Sequence, residues 1–73
     1  MVSEIAIRGE MIRLGQLLKL AGLIDSGAEV KAYLAGHPVL VNGEPEDRRG
    51  RQLHPGDVVS AGDRQLRVVG PGR

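Results

Sequence analysis

The sequence predicts an α+β domain, with two short helices packed as a helix–loop–helix pair on a small, bent antiparallel sheet of about four to five short strands. Three observations carry this expectation. Leucines repeat at helical spacing after Arg13, and a Ser-x-x-Glu helix start follows at Ser26. Beyond Pro38 the apolar period becomes two, with turn signals between the runs.

Residues 2–8 mix short apolar and polar side chains and predict a short strand, which Gly9 ends. Leu14, Leu17, Leu18 and Ala21 fall at i, i+3, i+4 and i+7, one stripe of a helix, and Gly22 stands where a glycine cap is expected. Ser26-Gly27-Ala28-Glu29 fits a capping box, in which the serine hydroxyl serves an amide and the glutamate reaches back. Ala28, Ala32 and Ala35 recur at roughly helical spacing, small enough for the two helices to approach closely, until Gly36 and Pro38 end the element. Val39-Leu40-Val41 then enters an Asn42-Gly43 turn, a pair that tolerates positive φ at both positions. Glu44 to Arg51 is a returning strand or a loop, and Pro55-Gly56-Asp57 is a second turn. Strands over Val58-Val59-Ser60 and Gln65–Val69 are joined by residues 61–64, and a frayed tail is expected at 70–73.

Seventy-three residues make a single domain, residues 1–73, near the lower limit for unaided folding. Cysteine is absent, which removes disulfides, thiolate metal sites and cysteine nucleophiles together. His37 and His54 lie far apart, each before a proline, and would need two more ligands to hold zinc; no metal and no cofactor are expected. With one Tyr, no Phe and no Trp, the core must be aliphatic. No apolar run approaches the roughly 20 residues that cross a bilayer, and the N-terminus has no signal-like pattern, so a cytoplasmic protein without membrane contact is expected. Catalysis has little support: no serine adjoins a histidine, no Walker-type glycine loop occurs, and no paired carboxylates form a recognisable motif. A small-molecule substrate is not expected in so small a chain.

Net charge is only +1, yet eight of the ten basic residues are arginine, and Arg48, Arg49 and Arg51 lie within four positions. The planar guanidinium fork suits bidentate phosphate contacts. The competing reading is a solvated loop in which Glu44, Glu46 and Asp47 pair with these arginines. Ser26 and Lys31 stand near the start of the second helix, where free amides favour anions. Asn42 offers an amide, although turn chemistry alone explains it. His37 fills a loop more readily than it touches phosphate. Tyr33 reads as core, and without aromatic platforms single-strand recognition is not expected.

In order, Arg13-Leu14, Leu17-Leu18, Gly22-Leu23, Ser26-Gly27, Ala32, Gly36, Val39, Val41-Asn42-Gly43, Leu53 and Pro55-Gly56-Asp57-Val58-Val59 resemble the S-four RNA-binding domain family, whose core is the alpha-L motif. The resemblance covers roughly residues 12–60. Glu46-Asp47-Arg48-Arg49-Gly50 and Ser26-Gly27 look most like the compact stand-alone bacterial branch. It implies non-catalytic binding of structured RNA, ribosomal or transfer RNA, with a ribosomal particle as one setting and a monomer as the simplest state. It also implies that Arg13 lies on the RNA-facing side, with Lys19 more ordinary surface. Two positions depart from the pattern: Gly27, where many members carry arginine, and Leu40, where many carry a basic or polar residue. The expected contact set is Arg48, Arg49, Arg51, Lys31, Arg13, Ser26 and Asn42. The RNA reading requires Arg48, Arg49, Arg51 and Lys31 on one face without neutralising carboxylates. The alternative, a protein-interaction adaptor that keeps the fold, requires an exposed apolar patch, as around Leu40.

Overall fold

The computed structural model describes residues 2–71. Its elements in chain order are β1 (Val2–Ala6), β2 (Ile12–Arg13), α1 (Leu14–Leu20), a 3-10 turn (Gly27–Glu29), α2 (Val30–Gly36), β3 (Val39–Val41), β4 (Glu44–Pro45), β5 (Gln52–Leu53), β6 (Val58–Ala61) and β7 (Arg64–Val69). This is the expected α+β architecture, with one difference in the sheet. Five strands run in the order β1-β7-β6-β3-β4, and β1 lies parallel to β7, so the sheet is mixed rather than wholly antiparallel. A separate antiparallel pair joins β2 to β5. A parallel pairing joins the two ends of the chain, and no local period reports it.

The leucine stripe behaves as its spacing requires. Leu14, Leu17 and Leu18 are fully buried against Val41, Leu53, Val59, Leu66 and Val68, while Ala21 is half-buried. The helix ends through Gly22, whose φ is +81° and whose N–H donates to Lys19 O. Asn42 and Gly43 take φ of 52° and 85°, the positive pair that a two-residue hairpin turn needs, and set Val41 opposite Glu44. A second two-residue turn, Gly62-Asp63, sets Ala61 opposite Arg64.

Three local expectations are corrected. Ser26 makes no side-chain cap bond; Glu29 Oε1 instead accepts from Asp25 N–H at 3.0 Å, one residue earlier than the capping box requires. The chain enters α2 through a 3-10 turn in which Glu29 N–H donates to Ser26 O, and the glutamate side chain turns back to Asp25 instead. Ala28, Ala32 and Ala35 are exposed and do not bring the helices together. The close approach is at Gly15 of α1, where an added Cβ would stand 3.2 Å from both methyls of buried Val30. Gly70, expected to fray, is half-buried over Pro55, with a Cβ there only 2.9 Å from Pro55 Cγ. Residues 72–73 of the expected frayed tail lie outside the described residues. Among the described residues no helix is long and apolar enough to cross a membrane, and no group of three or more His, Asp or Glu is placed to hold a metal.

Candidate nucleic-acid interface

After β4 the chain doubles back over the start of α1 before entering β5. The first amides of a helix have no acceptor within it, and here residues 46–51 supply two: Leu14 N–H donates to Arg51 O (2.9 Å) and Gly15 N–H to Arg49 O (3.0 Å). Arg13 Nη1 adds a bond to Gly50 O at 3.2 Å, while its backbone N–H donates to Gln16 Oε1 at 3.3 Å. These bonds place the arginine-rich segment beside the first helix.

Inside that segment Glu46 is the organising residue. Its side chain is only 6% exposed and accepts from Arg48 N–H (3.0 Å), Arg48 Nε (2.9 Å), Arg48 Nη2 (3.2 Å) and Arg51 Nη1 (2.8 Å). The side-chain bonds from Arg48 and then Arg51, with the Arg48 amide, outweigh burial and lower its pKa from 4.5 to about 2. Both arginines remain partly accessible: the Arg48 side chain is 73% exposed and that of Arg51 33%.

The triplet is therefore divided. Arg49 makes no bond to Glu46 and borders two adjoining grooves. One is lined by Arg13, Gln16, Lys19, Arg49 and the backbone of Gly27 and Gly50. The other is lined by Lys31, Leu34, Ala35, Asp47 and Arg49. Among the described residues Arg13, Lys19, Lys31 and Arg49 form no ion pair with a carboxylate. Arg48 and Arg51 border a third groove with Gly50, Gln52 and His54. The expected single face of Arg48, Arg49, Arg51 and Lys31 is thus two clusters: Arg49 with Lys31, Arg13 and Lys19, and Arg48 with Arg51 around a carboxylate.

The remaining expected residues are placed elsewhere or otherwise engaged. Asn42 Oδ1 accepts from Val58 N–H (2.9 Å) and its Nδ2 donates to Asp57 Oδ1 (3.1 Å), so its amide pins the β3–β4 turn to β6. Burial raises the Asp57 pKa, but bonds from His54 N–H and the Asn42 amide lower it further, for a net downward shift. Ser26 is half-buried next to Gly27, with Glu29 turned onto the same helix start. Tyr33 is half-buried and stacks on His37 at 4.2 Å, so neither ring stands free. Sequence reasoning missed Gln16, Gln52 and His54 as groove-lining residues. Single polar residues in mixed runs carry no periodic signal.

A family model described as the S4 domain matches residues 5–69. The chain belongs to the S4 domain family. The match reaches beyond the resemblance over residues 12–60 and takes in all of β7 and the end of β1, the two strands that close the sheet in parallel. This S4 domain is also similar to a Bacillus subtilis (strain 168) protein named probable ribosome maturation protein RlbA. The two are 58% identical over 59 residues, 81% of this chain and 83% of the relative. Most of both chains is covered, so the relative is a small protein built largely from the same module.

Proposed function

We propose that this S4 domain binds structured RNA without catalysing a reaction, chiefly through phosphate and shape contacts. The observation that carries the reading is the convergence of Arg13, Lys19, Lys31 and Arg49 on two adjoining grooves with no ion pair among the described residues, even to Asp47, which lines one of them. A protein reading folded RNA by shape needs fixed cations at phosphate spacing and no aromatic platform, and this chain has only one aromatic residue. Arg48 and Arg51 extend the cationic surface around Gly50. Ser26 and Asn42 serve local structure in this reading and are left out of the contact set. The name of the Bacillus subtilis relative favours ribosomal RNA, in a particle being assembled in the cytoplasm, over transfer RNA. A monomer suffices, since the grooves are built from one chain.

The test is binding of the purified protein to folded ribosomal and transfer RNA across a salt series. Affinity should fall with salt as expected for roughly three to five phosphate contacts. Arg49→Ala should weaken it most and reduce the salt slope by about one. Arg48→Ala should cost less, because that guanidinium already spends two of its nitrogens on Glu46. A folded protein that binds neither RNA at low salt would favour the adaptor. The surface which that alternative would use around Leu40 is a groove bordered by Leu34, Pro38 and Pro45, in which Leu40 is half-buried.

A further inference from the structure

A fourth groove, with an apolar floor, lies between the β1–β2 connection and α1 and is bordered by two large apolar side chains that remain exposed. Met11 and Leu20, 38% and 59% exposed, stand over it with Ala6, while Arg8, Gln16 and Lys19 form its polar rim. Leu20 lies outside the buried leucine stripe, so core packing does not explain it. Among the described residues no carboxylate lines the groove, and Gln16 and Lys19 also line the neighbouring groove that holds Arg13 and Arg49. The apolar floor therefore continues directly from the cationic surface.

We propose that this groove receives one unpaired base of an RNA whose paired part lies on the Arg13–Arg49 surface, so that the preferred ligand is a helix interrupted or ended by an extruded nucleotide. The inference rests on the RNA-binding reading. Three points favour this occupant. The flat face of a base can rest on exposed Met11 and Leu20, since a polarisable thioether makes favourable contacts with an aromatic ring. The flanking phosphates need cations beside that surface, and Arg8 and Lys19 line the same groove. Gln16 Nε2 can donate to a base edge, while its Oε1 already accepts from Arg13 N–H. A protein partner would need roughly 800 Å² of contact on this side, and Arg8, Arg13, Lys19 and Arg49 along it favour an anionic occupant.

The test compares three hairpins that share one stem: fully paired, with a single extruded nucleotide, and with an abasic residue at that point. The extrusion is moved stepwise along the stem. Native protein should bind the best-placed extruded hairpin about tenfold more tightly than the paired one, and the abasic hairpin should lose that preference. The double variant Met11→Ser, Leu20→Ser changes two exposed side chains and should keep its fold, verified by thermal melting. It should bind the paired hairpin as before and retain at most a twofold preference. Equal binding of all three hairpins by the native protein, or a preference that survives in the variant or in the abasic RNA, overturns the inference and leaves the RNA-binding reading standing. No binding of any hairpin at low salt overturns both. Capture of an acidic amphipathic peptide in place of RNA, abolished in the double variant, would assign the groove to a protein instead.

Discussion

Glu46 accepts four hydrogen bonds from Arg48 and Arg51 and is the most buried charged residue of the described chain. Its pKa lies at about 2 against an ordinary 4.5, so the ionised form contributes stability that is complete above about pH 4.5 and is lost as pH falls through 2. Glu46→Gln is expected to lower the unfolding free energy by about 1–2 kcal/mol at neutral pH. The gap from the native chain should close as the pH reaches 2, which denaturant melts over a pH series will check. Gly27 offers the converse experiment. It borders the Arg13–Arg49 groove, its φ is not positive, and an added Cβ meets nothing within 4 Å. Gly27→Arg should therefore restore the cation that many S4 domains carry there, tighten RNA binding several-fold and steepen the salt slope by about one. The arginine triplet was legible as a cluster. Its division was not, because whether a neighbouring carboxylate is buried or solvated depends on what packs over it.

Among the elements, α1 was the most legible, since leucines on two consecutive turns leave one face to bury. The contact between α1 and α2 was legible in kind but misplaced in detail. Alanines are small whether they face a neighbour or water, and it is buried Val30, packed on Gly15, that marks the face of α2 turned inward. Gly15 is where that contact has no room to spare, with Val30 methyls 3.2 Å from a would-be Cβ. Gly15→Leu is expected to cost about 1–3 kcal/mol through overpacking, measured as a lower denaturation midpoint. The β3–β4 turn has its own anchor in Asn42, which takes φ of 52° and uses both ends of its amide. Asn42→Ala should destabilise the fold by about 1–3 kcal/mol yet leave RNA affinity within about twofold below the melting temperature. A larger loss of affinity from a folded variant would return Asn42 to the contact set.

For the molecule as a whole, a net charge of +1 supplies almost no long-range attraction for RNA. Binding must come from where the cations stand. Arg49→Gln and Arg67→Gln change the net charge equally, but Arg49 lines two grooves, whereas Arg67 pairs with Glu4 across β1 and β7. With screening over about 8 Å at physiological salt, the Arg49 variant should lose about five- to tenfold in affinity and the Arg67 variant less than twofold, by titration of one RNA. Equal losses would mean that overall charge and not position governs binding. What the sequence by itself determined was the α+β class, the first helix, the turns at Asn42-Gly43 and Pro55-Gly56, the aliphatic core and the family resemblance, because each depends on residue type and short-range spacing. Only the tertiary structure decided that β1 pairs in parallel with β7, that Gly15 rather than the alanines admits the second helix, and that Glu46 separates Arg48 and Arg51 from Arg49. Those outcomes depend on contacts between residues distant in the chain, or on burial, and neither is encoded in any local period.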